Sequence, residues 1–479
     1  MLLAEIFPYA HVVFRVITVL FALTVVTSIG VIISENRNPV KSLAWITVLI
    51  LLPVVGFVLY LFFGRSMKNV RMISRRHRRR LRGNDRLPHI DENKLGISAQ
   101  NRQLISLVHS LHGSHVTTGN DIEIFTTGKE KFEALFADIE AATEYIHLQY
   151  YIFERDNLGR RMSELLIAKA RQGVKVRVIY DHVGSFHLNR SFFNRLRKNG
   201  VEAYPFLKVT FPELANHANW RNHRKVVVID GKVGYIGGMN IADRYVDGNK
   251  LGPWRDTHLR IKGNAVGALQ YSFAVDWNFM RHELLNVPLK HYEPAVTGNA
   301  MQLLMGGPTD RWSNIALAFL RAISCARQCV WVQTPYFLPN DSLLRALQAA
   351  ALSGVDVRLM MPRRPDSKLL QFSSHSYIKE CMQAGIKIYF YEPGMLHSKV
   401  IVVDDELVTT GSTNFDFRSF EHNFECNVFV YDKEFARRMK EVLEADERQS
   451  TRIYWSQWRR RPLWRKAIES IARLMSPLL

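Results

Sequence analysis

The sequence carries one stretch twice: HRKVVVIDGKVGYIGGMN at residues 223–240 and HSKVIVVDDELVTTGSTN at residues 397–414. Aligned at their histidines, both copies have a Lys two residues later, a β-branched run, an Asp seven residues after the His, and a glycine-led turn that ends in Asn. Identical spacing in two copies favours a duplication over coincidence. We therefore predict that two related parts of the chain build one active site with two histidines.

The segments around both copies alternate between predicted helices and strands. In the first copy, helical periodicity covers residues 130–143 and 163–171, and apolar strands cover residues 145–153 and 173–181. In the second copy, the helices fall at residues 315–326 and 342–352, and the strands at residues 330–337 and 354–362. Such alternation predicts an α/β fold with a sheet covered on both faces.

Two long apolar segments, residues 12–33 and 43–63, precede this region. Each is long enough to cross a hydrocarbon core of about 30 Å, so the sequence favours a transmembrane helical hairpin. A signal peptide followed by a buried core helix is the alternative. It is disfavoured because the first segment lacks a basic leader and a clear cleavage site.

The net charge of +20 requires an anionic partner, either nucleic acid or anionic lipid. A basic run without acids follows the second apolar segment, at Arg65, Lys68, Arg71, Arg75, Arg76, Arg78, Arg79, Arg80 and Arg82. The positive-inside rule then predicts a multi-pass protein whose N-terminus and catalytic part are cytoplasmic. The run would lie against anionic headgroups, with a merely solvated charge run as the alternative. Because the cations cluster beside apolar spans and not along an aromatic groove, we expect no nucleic-acid partner.

The C-terminal segment combines tryptophans, cations and an apolar helical stripe. Trp455, Trp458 and Trp464 are interleaved with arginines and a lysine, and residues 468–478 keep one apolar helical face. This composition is typical of a helix that lies in a membrane interface. The alternative is a helix docked on the catalytic domain.

The histidines and lysines of the doubled stretch suit an anionic substrate. Residues two apart point to the same side of a strand, so His223 lies beside Lys225, and His397 lies beside Lys399. Lysine supplies charge and donors for phosphate oxygens, while an imidazole can attack or transfer a proton. The glycine turns let the backbone approach a ligand, and we expect phosphate-binding side chains at their ends: Asn240, Ser412 and Asn414.

Four carboxylates complete the candidate site. Asp230 and Asp404 close the two strands, where we expect each to form a turn by bonding its own backbone. A nucleophilic imidazole also needs an acceptor for its second N–H. Asp256, in WRDTHLRI, and Glu425, in NFECNVFV, each open a strand downstream of a motif. We predict that Asp256 orients His223 and that Glu425 orients His397.

The doubled His-x-Lys-x4-Asp pattern resembles the signature of the phospholipase D superfamily. Its residues are His223, Lys225, Asp230, His397, Lys399 and Asp404. With the two apolar segments, the WVQTPYFLPND stretch and the final SPLL, the whole chain resembles the bacterial cardiolipin synthases. One departure is the first turn, Gly237-Gly238, where the family pattern often has Gly-Ser.

The resemblance implies two pseudo-symmetric α/β sandwich halves with one shared active site and no metal or other cofactor. It assigns these six residues as the catalytic set. It also implies transphosphatidylation at the bacterial inner membrane: His223 attacks one phosphatidylglycerol, glycerol leaves, and a second phosphatidylglycerol takes the phosphatidyl group. His397 would be the general acid and then the base.

We divide the chain into five segments: a hairpin at 1–66, a basic juxtamembrane segment and linker at 67–118, two phospholipase D-like halves at 119–300 and 301–450, and an amphipathic segment at 451–479. A hydrolytic phospholipase D or another phosphatidyltransferase would use the same motifs. A scaffold that binds anionic lipid is an alternative of another class, which two complete motifs disfavour. The sequence leaves the oligomeric state open, with a homo-oligomer among the options.

Overall fold

A computed structural model describes residues 10–34, 39–64, 67–68, 70–83, 95–188, 190–209, 219–285 and 298–476. The predicted hairpin connection at residues 35–38 and residues 84–94 of the predicted juxtamembrane segment lie outside the described residues. The chain divides into two compact units, one of residues 1–66 with 209–219 and one of residues 67–208 with 220–479.

The described part of the first unit is mostly helical. Its elements are α1 Ala10–Ser34, α2 Pro39–Leu51, α3 Pro53–Leu59 and a π-helical turn at Tyr60–Gly64. These helices pack on one another: Ile32, Leu49 and Tyr60 form a buried cluster. The rings of Phe21 and Phe57 meet edge to face, with centroids 6.1 Å apart.

One described helix is long and apolar enough to cross a membrane, at Val12–Ser34, with a mean hydropathy of 2.7. The second predicted span is not one continuous helix. It is interrupted at Leu52, because the next residue, Pro53, has no N–H to continue the hydrogen-bond ladder. Helix α2 alone has 13 residues and covers about 20 Å, short of a bilayer core. The prediction of two full spans, and with it a multi-pass topology, is therefore not supported.

The second unit contains all the described strands. Those of the first half are β1 Thr117–Phe125, β2 Tyr145–Tyr150, β3 Lys175–Asp181, β4 Glu202–Phe206, β5 Arg221–Asn222, β6 Val226–Ile229, β7 Val233–Gly237, β8 Trp254–Arg255 and β9 His258–Lys262. Those of the second half are β10 Asn299–Gly306, β11 Cys329–Gln333, β12 Phe337–Leu338, β13 Asp356–Pro362, β14 Lys387–Tyr391, β15 Met395–Leu396, β16 Val400–Val403, β17 Leu407–Gly411, β18 Phe415–Asp416, β19 Asn423–Val430 and β20 Ser450–Ile453.

The helices of this unit are α4 Arg75–Gly83, α5 Ala99–His112, α6 Gly128–Glu140, α7 Asn157–Arg171, α8 Arg190–Lys198, α9 Ala265–Arg281, α10 Asn314–Ser324, α11 Asp341–Leu352, α12 Lys368–Gln383, α13 Phe417–Glu421, α14 Lys433–Arg448, α15 Trp455–Trp458 and α16 Leu463–Leu474. A 3₁₀ turn covers Asp243–Tyr245. Side-chain caps mark several starts. Thr127, for example, accepts from the Glu130 N–H at the start of α6.

The two halves repeat one strand order. The first half reads β1-β9-β7-β6-β2-β3-β4, and the second reads β10-β19-β17-β16-β11-β13-β14 with β20 added at the edge. In each half, three parallel strands follow one antiparallel neighbour that carries the doubled motif. Strand β1 also pairs with β10 and so joins the halves. The predicted α/β fold with two related halves is confirmed at the level of strand order.

The side chains of the motif strands alternate between two apolar layers. In β6, Val227 and Ile229 belong to a cluster with the outer helices α6, α7 and α8, whereas Val226 and Val228 belong to a cluster shared by both sheets and by α9 and α14. Strand β16 repeats this alternation. Because side chains two apart share a face, the predicted His and Lys pairs lie on the outer-helix side of each sheet.

Candidate active site

Each half supplies the backbone support for the histidine of the other half. Strand β5, just before His223, runs parallel to the start of β19, and β15, just before His397, runs parallel to β8. The His223 N–H donates to the Phe424 carbonyl at 2.9 Å, and the His397 N–H donates to the Arg255 carbonyl at 2.7 Å. The two motifs therefore meet, as predicted, across a crossed arrangement.

The same crossing decides which carboxylate each histidine contacts. His223 Nδ1 lies 2.9 Å from Glu425 Oε1, and His397 Nδ1 lies 2.6 Å from Asp256 Oδ2. The predicted assignment, Asp256 to His223 and Glu425 to His397, is wrong. Each acid directly follows the residue that accepts from the other half's histidine N–H, so it meets that histidine and not the one in its own half. All four side chains are buried.

Both lysines belong to one charge cluster. Lys225 Nζ donates to the His223 carbonyl at 2.6 Å. Lys399 Nζ lies 2.8 Å from His397 Nδ1 and also donates to the His397 carbonyl. Each lysine pKa responds to both Asp256 and Glu425, which places the two motifs in a single site.

Burial sets the protonation of this cluster. The pKa of both histidines is lowered to about 4, chiefly by burial, and at His397 the Lys399 charge is the second cause of this lowering. Burial also lowers the pKa of Lys225 to about 7 and that of Lys399 to about 8. At neutral pH both imidazoles are therefore uncharged.

The carboxylates fix the tautomer of each ring. Burial alone would raise the pKa of Asp256, but Lys399 and His397 outweigh it and lower that pKa. His223 and Lys225 do the same for Glu425. An ionised carboxylate only accepts hydrogen bonds, so each Nδ1 carries its proton toward the acid. Each Nε2 then bears the lone pair.

The motif aspartates lie at the other end of the strand. Asp230 directly follows β6 and stands seven positions after His223, which in extended chain amounts to about 20 Å. Asp230 and Asp404 have positive φ angles of 51° and 53°. The structure does not bring them to the histidines with which the signature groups them.

Each aspartate clamps the start of a neighbouring strand. The Asp230 carboxylate accepts 2.8 Å bonds from the N–H groups of Thr143, Glu144 and Tyr145. Asp404 accepts likewise from residues 327, 328 and 329. The predicted bond to the residue's own backbone is therefore wrong. The acceptors at the strand end serve β2 and β11 instead.

The three predicted phosphate-binding side chains lie at the site and bond to protein groups. Asn240 donates to the Tyr245 hydroxyl at 2.8 Å and accepts from the Ile152 N–H at 3.1 Å. The Ser412 hydroxyl donates to Glu425 and accepts from the Cys426 N–H at 3.0 Å. The Asn414 side chain bonds to Asp416. The Ser412 hydroxyl therefore positions Glu425, the carboxylate that contacts His223. The contact of Ser412 with phosphate stays a prediction.

Sequence reasoning missed the groups that line the site beside each histidine. The His223 ring lies 5.0 Å from that of Tyr151, and the His397 ring lies 5.4 Å from that of Trp254. Tyr336 donates to Asp366 at 2.5 Å, and Asp366 raises the pKa of His397. Both follow parallel strands, β11 and β13. The carboxyl ends of parallel strands are where ligands bind in open α/β sheets, and this signal could have identified them.

Comparison with known proteins agrees along nearly the whole chain. A family model described as "Cardiolipin synthase, PLD-like domain" matches residues 135–251 and 319–447. A second, described as "Phospholipase_D-nuclease N-terminal", matches residues 22–65. A cardiolipin synthase of Geobacillus kaustophilus is 41% identical over 474 residues, covering 96% of this chain and 93% of that protein.

A second relative and a solved structure extend this picture. The major cardiolipin synthase ClsA of Bacillus subtilis is 38% identical over 475 residues, covering 97% of this chain and 98% of that protein. The crystal structure of a phosphatidylserine synthase from Haemophilus influenzae covers 79% of this chain and 100% of its own, with a TM-score of 0.60 and 13% identity. That last likeness shows a shared fold.

Proposed function

The chain belongs to the cardiolipin synthase family of the phospholipase D superfamily, and from this premise we propose that it joins two phosphatidylglycerol molecules into cardiolipin and releases glycerol. The chain is a phosphatidyltransferase. The observation that carries the proposal is the crossed pair of histidine–carboxylate contacts, His223 with Glu425 and His397 with Asp256, closed around two lysines. Two histidines, each held by a carboxylate, can carry out two successive displacements at one phosphorus.

In the first step, His223 Nε2 attacks the phosphorus of the donor lipid. The bond from phosphorus to the glycerol oxygen breaks, and His397 gives its proton to that oxygen as glycerol leaves. Lys225 and Lys399 hold the non-bridging oxygens as charge develops on them. The product of this step is a phosphatidyl group on His223, whose Nδ1 proton remains on the Glu425 side.

His397 must hold a proton when the first step begins. In the substrate-free site its pKa is about 4, so at neutral pH it is deprotonated. A phosphodiester anion placed beside the ring favours the charged imidazolium and raises this pKa. When the substrate binds, His397 therefore takes up a proton from solvent, and the leaving glycerol oxygen receives this proton.

In the second step, neutral His397 removes the proton from the headgroup hydroxyl of a second phosphatidylglycerol. The resulting oxygen attacks the phosphorus, the bond to His223 breaks, and His397 holds the proton until cardiolipin leaves and its pKa returns to about 4. Water in the same position would give phosphatidic acid. The aromatic groups beside His397, Trp254 at 5.4 Å and Tyr245 at 5.9 Å between ring centroids, favour a glyceryl headgroup over bulk water there.

The assignment of roles rests on a difference between the lysines. Lys399 contacts the ring of His397, whereas Lys225 contacts only the carbonyl of His223. An ammonium beside an imidazole eases release of its proton, which suits the acid and base. Glu425, braced by Ser412 and Asn423, suits a ring that carries positive charge as an adduct.

The substrates determine where the protein acts. Helix α1 is long and apolar enough to span a membrane. We infer that the protein resides in the bacterial cytoplasmic membrane with the catalytic unit in the cytoplasm, where phosphatidylglycerol and other anionic lipids are its partners. The basic run after residue 64 is the feature that supports this orientation.

The test is a product balance with the purified full chain in mixed micelles of detergent and phosphatidylglycerol. We expect one glycerol released for each cardiolipin formed. A chain with both histidines replaced by alanine is the control for contaminating activity. Phosphatidic acid as the main phosphorus product would overturn the synthase proposal in favour of a hydrolase.

A further inference from the structure

Helix α16 packs on the second half with one face only. The Ser373 hydroxyl of α12 donates to the Ala472 carbonyl at 2.7 Å, and Arg473 pairs with Glu380 at 2.6 Å. Glu469 and Ala472 are buried in this contact. Docking on the catalytic domain, one of the two alternatives drawn from the sequence, therefore describes the inner face of α16.

The outer face of α16 is apolar and open. Leu463 is 81% exposed, Trp464 63%, Ile471 66% and Leu474 78%. Trp455 and Met475 are exposed as well, at 39% and 42%. Contiguous apolar patches of this kind on a protein surface mark contacts with other molecules or with membranes.

The charges around this face have one sign. Arg459 and Arg460 are exposed just before α16, and Arg465 and Lys466 are half-buried on it, with Arg465 3.7 Å from Glu469. Glu469 is the one acid between residues 455 and 474, and it is buried in bonds to Arg461 at 2.5 and 2.9 Å. The outer face thus presents cations and apolar groups without any exposed carboxylate.

We propose that the outer face of α16 docks the catalytic unit onto the surface of an anionic bilayer. Tryptophan and leucine side chains enter the boundary between headgroups and acyl chains, and the surrounding cations meet lipid phosphates. A second copy of the same surface fits less well, because its cations would face those of the first. The inference goes beyond the proposed reaction, since it assigns a surface and not a catalytic group.

Helix α12 gives this docking a consequence for the site. It has 16 residues and packs along α16. It begins at Lys368, two residues after Asp366, which bonds to Tyr336 and acts on His397. A bilayer that holds α16 thus also sets the position of the loop at residues 363–367, at the edge of the active site.

An environment-sensitive label tests the docking without reference to catalysis. We would introduce Ile471→Cys in the full chain, attach a nitrobenzoxadiazole fluorophore, and insert the protein into vesicles of phosphatidylcholine with or without phosphatidylglycerol. We expect a blue shift and quenching by lipid-bound quenchers when phosphatidylglycerol is present, and a weaker response at high salt. Glu441→Cys, at an exposed position of α14, is the matched control and should report water throughout.

Two results would overturn the proposal. One is a label at position 471 that reports water in anionic vesicles. The other is a blue shift in detergent without lipid that grows with protein concentration, which would identify a second copy as the occupant. Because the native cysteines are buried or half-buried, the unsubstituted chain supplies the labelling background.

A functional arm separates docking from chemistry. The double variant Leu463→Glu with Ile471→Glu changes outer-face residues only, and we expect about a tenfold higher KM for phosphatidylglycerol in vesicles with kcat in detergent micelles unchanged. Equal kinetics of variant and parent in both systems would contradict a docking role. If the label at position 471 shows no blue shift in anionic vesicles while cardiolipin is still made, the docking proposal alone is wrong. If the blue shift is seen but no cardiolipin is made, the proposed function alone is wrong.

Discussion

The two sides of the active site carry nearly the same motif in different surroundings. Beside His223 lie the ring of Tyr151 and the buried ion pair of Arg221 with Asp181, 3.5 Å apart. Beside His397 lie aromatic rings and the apolar strand β15. A buried ion pair lies next to His397 as well, since Arg255 pairs with Asp446 at 2.7 Å. The two sides therefore differ in their aromatic contacts, with Tyr151 beside His223 and with Trp254 and Tyr245 beside His397. The larger aromatic surface at His397 suits a headgroup that must leave and be replaced.

The carboxylates that contact the two histidines, Glu425 and Asp256, also have different surroundings. Glu425 accepts from the Ser412 hydroxyl and from Asn423, whereas Gly238 occupies the place of Ser412 next to Asp256. A Cβ at Gly238 would lie only 2.2 Å from Asp256 Oδ1, so the shorter acid and the missing hydroxyl occur together. In each half the carboxylate and the residue beside it have changed together. This indicates that the two histidines have different catalytic roles.

Replacement of each histidine by alanine should give the largest effects and should separate the roles. We expect His223→Ala to abolish both the covalent adduct and synthesis, a loss of at least about 10⁴-fold. His397→Ala should lose similar activity on phosphatidylglycerol but still form the adduct from a phosphatidyl ester with a nitrophenol leaving group, which needs no general acid. Acid-quenched labelling followed by peptide mapping measures the adduct. An adduct on His397 in the His223→Ala chain would reverse the assignment.

Neutralising the two carboxylates tests the crossed pairing. Glu425→Gln should slow adduct formation about 10²–10⁴-fold, because the ring of His223 loses the acceptor that fixes its tautomer. Asp256→Asn should instead slow the proton transfers at His397 and spare adduct formation from the nitrophenyl ester. Rapid-quench kinetics of the two half-reactions distinguishes these effects. If Asp256→Asn slowed adduct formation from the nitrophenyl ester, Asp256 would act on the attack by His223, which contradicts its assignment to His397.

The sequence predicted the fold and the chemistry-bearing side chains better than their contacts. Period and duplication identified the strands, the histidines and the lysines, because these follow from local pattern. The carboxylate partner of each histidine does not follow from local pattern, since it depends on the pairing of β5 with β19 and of β15 with β8. Such parallel pairs between distant segments leave no periodic signal. The interrupted second span had a local signal in Pro53 that hydrophobicity alone concealed.

The lysines predict a pH dependence of substrate affinity. Their pKa values are about 7 for Lys225 and about 8 for Lys399, and a bound phosphodiester anion favours their charged forms. As pH rises through 7 and then 8, binding must take up first one proton and then two, so affinity should fall by about tenfold per unit for each lysine. Titration of a soluble glycerophosphodiester between pH 6 and 9 measures this.

Matched arginine variants locate each break in that profile. Arginine stays protonated across this range, so Lys225→Arg should remove the break near 7 and Lys399→Arg the one near 8. His397, whose pKa is about 4 in the free site and rises when the anion binds, adds a proton uptake that is common to the parent and both arginine variants, so the comparison among the three chains isolates the lysines. An affinity that is constant from pH 6 to 9 in the parent chain would contradict lysines that titrate in this range.

The strand-end clamps should give the smallest effect and the same effect in both halves. Asp230→Ala leaves the three N–H groups at Thr143–Tyr145 without their acceptor, and Asp404→Ala does so at residues 327–329. We expect each to lower the free energy of unfolding by about 2–4 kcal/mol, with the activity of the folded fraction unchanged. Denaturant unfolding and amide exchange at these residues measure the loss.

Acid should reproduce the first of these losses. Burial alone would raise the pKa of Asp230, but bonds from Thr143, Tyr145 and Glu144 outweigh it and lower that pKa below the ordinary 3.8. The clamp therefore contributes fully above this ordinary value and is lost as pH falls through the lower, folded value. Asp230→Ala should show no such acid-dependent step. If Asp230→Ala and Asp404→Ala lose the same stability and keep their activity, the two halves differ at the active site and not at the strand ends. A catalytic defect in either variant would show that the strand ends differ in function as well.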